Sequence, residues 1–391
     1  MKIHTIKDII QSSHINFLFG SGMSMPYLST LGNIETWLTA AENIADNPTQ
    51  NIVTTSLYAK YFSEVMEPCI KAKVKAKPDE YNNVLNQYKE FIKSWNSIIA
   101  KRNNGLIDKQ INIFSTNIDT FVEQAAEDTG IEFNDGFKGH IKPHFSEDCF
   151  TNVVTKVSPT FQNISLIPVF NYLKMHGSIN WKADGDQVFY DGTLSQIEEI
   201  APIANKLDDT QIIKVFEDTD SIKELEVKAC DIKSKTGYSP SSDFKIFNEK
   251  YSRLIMINPH KSKFRESVID LHFYELMRLF SNALEKNTSL LIVAGFSFAD
   301  EHIAKITLRA ANSNPTLQVL VFAYDNNAKE KIISNLNKVG TQINNNILII
   351  DPESFVQVQE EEMLDTFKDL KVFDLESLNK YVFRGIELLI K

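Results

Sequence analysis

Gln110-Ile-Asn-Ile-Phe-Ser115-Thr-Asn117-Ile-Asp119-Thr-Phe121 is the stretch on which the fold turns. Ile111, Ile113 and Phe114 make a short apolar strand that runs straight into an amide and a carboxylate two positions apart. The helix-favouring run Phe121-Val-Glu-Gln-Ala-Ala follows at once. Polar side chains at the end of a buried strand cost folding energy unless they find partners. In an open α/β sheet that edge is where ligands bind. The stretch therefore predicts a strand, a ligand-facing turn and a helix.

The same grammar recurs along the chain. Ile15-Asn-Phe-Leu-Phe19 ends in Gly20-Ser21-Gly22-Met23-Ser24, and Val169 to Met175 leads into His176-Gly177-Ser178. Leu254 to Asn258 reads as another buried strand. Leu290 to Ala294 precedes Gly295-Phe-Ser297-Phe-Ala-Asp300, and Leu317 to Asp325 reads as the next strand. Helical spacing fills residues 34–104, read as an insertion of several helices. Residues 183–245 are polar and rich in turn signals, a mobile insertion or a small accessory subdomain. Val268 to Leu284 carries an amphipathic stripe through Leu271, Leu276, Leu279, Phe280 and Leu284. Near-continuous apolar strands alternating with helices imply a Rossmann-like α/β fold, a mostly parallel sheet covered on both faces. Residues 1–330 make the main α/β body in this reading, and 331–391 a C-terminal extension for oligomerisation or partner contact.

Composition narrows the function classes. The 391 residues are 43% hydrophobic and 24% charged, enough for a large core. A net charge of -10 argues against direct nucleic-acid binding over the whole surface. The basic run Lys71-Ala-Lys-Val-Lys-Ala-Lys77 reads as a solvated helix face. Cys69, Cys149 and Cys230 are scattered, so they supply neither a four-cysteine zinc module nor a disulfide framework. The N-terminus lacks a signal-peptide core, and no apolar run reaches about 18 residues. A cytoplasmic protein without a membrane segment or a metal is expected.

Four constellations carry chemistry, each beside a plainer reading. The glycines of Gly20-Ser-Gly-Met-Ser24 let backbone N–H groups approach a phosphate, or simply make a tight turn. Asn117 can fix a hydroxyl or a water, and Asp119 can bond an amide; either can instead cap the next helix. His176 is a candidate general base, where the plainer reading of a lone histidine is a satisfied structural one. Gly295-Phe-Ser297 makes a turn that again enters a helix, with Asp300 as its cap in the plainer reading.

In this order the four segments resemble the sirtuin superfamily. Gly20-Ser-Gly-Met-Ser24 looks like its GAGxS phosphate loop, Thr116-Asn117-Ile118-Asp119 like its TQNID motif, His176-Gly177 like its catalytic HG and Gly295-Phe-Ser297 like its later G-[TY]-S turn. Thr116 stands where glutamine is usual. The zinc module and the GIPDFR signature of the deacylases are missing. Gly295-Phe-Ser297-Phe-Ala-Asp300-Glu-His-Ile303 is similar to a stretch of the bacterial sirtuin-like antiphage effectors.

That resemblance implies NAD⁺ as substrate, hydrolysed on infection to deplete the cell of it. It implies Asp119 on the nicotinamide carboxamide, Asn117 on the ribose or a water, and His176 as base. Gly20, Ser21, Gly22 and Ser24 would hold the pyrophosphate. Thr116 would line the site, and Gly295, Ser297 and Asp325 would face the adenosine half. About 65 residues follow Asp325, too few for the further sensor domain of Thoeris relatives. By length the chain is more similar to compact effectors that form homo-oligomers with a HerA-type hexameric ATPase. Protein deacylation, ADP-ribose transfer, and NAD⁺ or ADP-ribose binding without turnover are the alternatives.

Overall fold

Seven apolar runs form one sheet: β1 (His14–Phe19), β2 (Gln110–Ser115), β3 (Phe133–Asn134), β4 (Val169–Lys174), β5 (Ser289–Ala294), β6 (Gln318–Phe322) and β7 (Ile347–Ile350). The computed structural model describes residues 1–30, 32–102, 107–217, 219–237, 239–257 and 268–390. The strand order is β7-β6-β5-β1-β2-β4-β3. Every adjacent pair is parallel. The fold is thus the Rossmann-like α/β sheet that strand–helix alternation predicts.

Successive side chains of a strand point to opposite faces. In β1, Phe17 and Phe19 enter one core and Leu18 the other. Helices Ile3–Ser12, Pro78–Ala100 and Phe121–Thr129 cover the first face. Helices Val268–Glu285, Glu301–Ser313 and Asn326–Val339 cover the second. Phe17 meets Phe91, Trp95 and Phe383 edge-on, with ring centroids 5.0, 4.8 and 6.3 Å away. Each such fully buried ring contributes roughly 1.5–3 kcal/mol by burial. Leu271, counted in the apolar stripe of its helix, is instead exposed.

A line of amides crosses the sheet. Asn134 Nδ2 donates to Asn171 Oδ1 at 2.9 Å, Asn171 Nδ2 to Asn112 Oδ1 at 2.9 Å, Asn112 Nδ2 to Asn16 Oδ1 at 2.8 Å, and Asn16 Nδ2 to Ser289 Oγ at 3.0 Å. The four asparagines share one register across β1, β2, β4 and β3. A one-residue slip would drop these amides among apolar side chains and strand their donors.

The chain after β1 returns over the first face, and the chain after β5 over the second. The switch point between β1 and β5 is where such sheets open a crevice.

A separate core joins residues 34–70 to residues 194–256. The helical stretch 34–104 therefore divides. Its last helix, Pro78–Ala100, buries Val84, Leu85, Tyr88, Phe91, Ile92, Trp95, Ile98 and Ile99 against the sheet, whereas the earlier helices build the second core. Much of the polar 183–245 stretch packs there too, through helices Ser195–Ala204, Ile222–Thr236 and Ser242–Tyr251. A Ser221–Glu224 capping box starts the second of these. Leu254 to Ile257 forms no strand. Met256 makes one bridge to Gly177, because Leu254 and Met256 enter the second core while Ile255 enters the sheet core. Asn258, the end of that predicted strand, lies outside the described residues. The C-terminal stretch is built in, since β7 extends the sheet and Phe355, Phe373, Val382 and Phe383 pack on its first face.

Candidate functional site

The turns after β1, β2, β4 and β5 meet at the C-terminal edge of the sheet. Those after β1 and β5 are stitched to each other. Gly22 N donates to Gly295 O at 3.1 Å, Met23 N to Gly20 O at 3.0 Å, and Gly20 N to Ala294 O at 3.1 Å. A Cβ on Gly20 would lie 2.4 Å from Gly295 O, and Gly295 itself has φ +64°. These glycines thus allow two turns to pack together, and the Gly22 and Met23 amides are engaged within the protein. In the phosphate-loop reading, Ser21 is the member left half-exposed with its hydroxyl in no recorded bond among the described residues.

Ser24, read from sequence as a phosphate contact, points inward. Its Oγ donates to Asp119 Oδ2 at 2.7 Å and lies 3.0 Å from the Tyr88 hydroxyl. Asn117 Nδ2 approaches the same Oγ at 3.4 Å, while Asn117 Oδ1 is buried and accepts no hydrogen bond. Asp119 Oδ1 accepts from Phe121 N at 3.1 Å, so Asp119 both caps the following helix and ties it to the first turn. Ile118, between them, turns the other way into the second core. The Asn-Ile-Asp alternation thus pins the helical module against the site. Thr116 continues the sheet, its N–H donating to Phe19 O at 3.0 Å.

Lys174, at the end of β4, completes this cluster. Its Nζ donates to Asp119 O at 2.5 Å, to Glu123 Oε1 at 2.6 Å and to Ser178 Oγ. Burial pushes the carboxyls of Asp119 and Glu123 above the ordinary range, and Lys174 pulls both back. Sequence reading missed Lys174, Glu123, Ser178 and Tyr88. The available signal was a lysine closing an otherwise apolar strand.

His176 takes a different partner. Its Nε2 lies 3.1 Å from Asp300 Oδ2, with the two side chains 17% and 21% exposed. Asp300 also caps helix Glu301–Ser313, as in the plainer reading of that turn, by accepting at Oδ1 from His302 N at 2.8 Å and Ile303 N at 3.1 Å. Burial alone would raise its carboxyl, but the His176 contact and the two amides outweigh it and hold the pKa at about 2. A carboxylate only accepts, so Nε2 carries a proton, and in the neutral ring the lone pair falls on Nδ1. Gly177 has φ +76°, and a Cβ there would lie 2.3 Å from Ile255 O, so only glycine lets the chain pass.

Ser297 O accepts from Asn335 Nδ2 at 3.0 Å. Asp325 Oδ1 caps helix Asn326–Val339 through Ala328 N at 2.8 Å. No family model matches the chain, and no curated protein matches it. One surface depression of about 460 Å³ opens elsewhere, beside Arg309 and Thr341, and one of about 430 Å³, beside Tyr190, borders the cluster at Glu123. The strand-end cluster remains the stronger candidate, because convergent buried polar groups at a switch point mark a site better than volume does. The arrangement can orient a polar ligand at Asn117 and withdraw a proton at His176.

Proposed function

We propose that the strand-end cluster hydrolyses NAD⁺ at the bond between nicotinamide and ribose, and that the chain is an antiphage effector acting with a HerA-type ATPase. The observation that carries the chemistry is the buried Asn117 Oδ1 without a partner, at the same sheet edge where His176 Nε2 meets Asp300 Oδ2 and so directs Nδ1 of the neutral ring to act as the base. The effector role rests on the sirtuin-like motifs alone.

The nicotinamide of NAD⁺ leaves as a neutral ring from a cationic one, so acid catalysis contributes little. The transition state is oxocarbenium-like, as in glycoside hydrolysis. Asn117 would accept from a ribose hydroxyl or position the attacking water. Asp119 would meet the carboxamide through lone pairs not used by Ser24 and Phe121 N. His176 Nδ1 would take a proton from that water or hydroxyl, worth roughly 10²–10⁴-fold in rate. Asp300 would act as a positioning residue that fixes the tautomer, the logic of a catalytic triad. Ser21 at the first turn, and Ser297 and Asp325 farther along, would hold the pyrophosphate and adenosine half.

The test follows nicotinamide release by the purified protein with and without the ATPase. Asn117→Ala and His176→Ala should each abolish it with an unchanged circular dichroism spectrum. Turnover retained in either variant would overturn the assignment. A second reading, binding of NAD⁺ or ADP-ribose without turnover, is favoured by the internal engagement of Ser24 and Asp119. Ligand binding with no nicotinamide release in the presence of the ATPase would establish that reading instead.

A further inference from the structure

A two-stranded hairpin, Thr155–Val157 with Ile164–Leu166, lies in the chain between β3 and β4. Its register sets Thr155 opposite Leu166 and Val157 opposite Ile164. Opposed residues share a face, and the next pair along takes the other. One face therefore carries Val153, Thr155, Val157, Ile164 and Leu166, and the other Val154, Lys156, Ser165 and Ile167. Val154 and Ile167 are half-buried, so the base of the second face is turned to the body. The first face looks outward: Val153, Val157, Ile164 and, at the tip, Phe161 are between 54% and 76% exposed. Apolar residues alternating with polar ones are the pattern of a strand with one covered face. A lone hairpin in water is marginal at best and gains stability from a layer against that face.

Charge indicates what the layer is. Two copies of a chain with net charge -10 repel each other. No acidic residue occurs from Cys149 to Ala183, and the hairpin's one charge, Lys156, lies on the other face. The outward face is thus where a second copy meets least repulsion, whereas a charged partner gains nothing there. Gln110 Nε2 donates to Asn152 O at 2.7 Å and Val169 N to Lys109 O at 3.0 Å, so the hairpin leaves the sheet where β2 and β4 begin. That edge is opposite the candidate site, and a contact here leaves the site open.

We propose that two copies of this chain associate through this face, hairpin against hairpin about a two-fold axis. The apolar side chains of one copy then pack on those of the other, as the inner faces of a β-sandwich do. At about 10 Å wide and about 17 Å long, the face falls short of the roughly 800 Å² per partner of a stable interface. The dimer is therefore reversible, with a Kd on the order of 10 µM. The proposal is independent of NAD⁺ turnover.

Sedimentation velocity of the full chain from about 1 to about 100 µM tests it. A monomer–dimer equilibrium should appear and tighten several-fold as salt rises from about 0.05 to about 0.5 M, because salt screens the repulsion and leaves an apolar contact intact. V157T/I164T keeps β-branched, uncharged side chains and should weaken the dimer at least about tenfold, with an unchanged circular dichroism spectrum. I343T/L388T, which alters two exposed apolar residues elsewhere, should leave it unchanged. A monomer throughout, a dimer that weakens with salt, or equal loss in both double variants would each overturn the proposal.

Discussion

The Asp119 cluster and the His176–Asp300 pair share one sheet edge but are built in opposite ways. Around Asp119 the side chains are buried, and Lys174 alone serves three acceptors. His176 and Asp300 are partly open to solvent, and the imidazole makes one recorded side-chain contact. The difference teaches that one half of the candidate site is also a structural joint, whereas the other is held just firmly enough to present a nitrogen. Substitutions at Lys174 and Asp119 should therefore cost stability most, and one at His176 should cost activity most.

Lys174→Met should show the largest loss. Methionine fills the space but leaves the Asp119 carbonyl and the Glu123 carboxylate stranded, costing about 3–5 kcal/mol in chemical denaturation. A loss below about 1 kcal/mol would break the contrast, since that is the worth of a surface pair. Asp119→Asn keeps one acceptor oxygen and forfeits the other, so either Ser24 Oγ or Phe121 N loses its partner. The expected cost is about 1–3 kcal/mol by the same measurement.

Asp300→Asn should act through pH. The folded Asp300 carboxyl titrates at about 2, below its ordinary value of 3.8. A depressed carboxyl stabilises the fold above its unfolded pKa, and the benefit is lost as pH falls toward the folded one. The parent protein should thus exceed the variant by about 1–2 kcal/mol at neutral pH. That margin should close between about pH 4 and pH 2 in acid denaturation. A margin independent of pH would mean that the carboxylate charge is immaterial. His176→Ala should cost the least stability, under about 1 kcal/mol by thermal unfolding, as befits a partly exposed side chain with a single contact. On the proposed reading it should cost all nicotinamide release.

How much of this was legible varied with the range of the interaction. The strands before Gly20, Thr116, His176 and Gly295 were readable because apolar runs and small-residue turns are local signals. Asn117 and Asp119 stood out because two polar groups followed directly on the end of a buried strand. Asp300 was legible only as a cap; its second oxygen reaches His176, 124 positions away, and no local pattern announces that contact. Ser24 was misdirected for the same reason, since a glycine-rich turn does not reveal that its serine faces Tyr88 and Asp119. The division of residues 34–104 between two cores was hidden because amphipathic helices look alike whichever core they serve. Asn16, Asn112, Asn134 and Asn171 each follow an apolar residue in a strand, a repeated pattern that only register turns into a continuous line.

That line also has a polarity. From Asn134 to Ser289 every amide donates in the same direction, and the Ser289 hydroxyl passes the sense on to Ala283 O at 2.7 Å. Aligned dipoles polarise one another, so each link strengthens when its neighbours are intact. The sheet thus carries a transverse electrical axis, at right angles to its strands. Reversing one amide would set two donors or two acceptors face to face at both of its junctions.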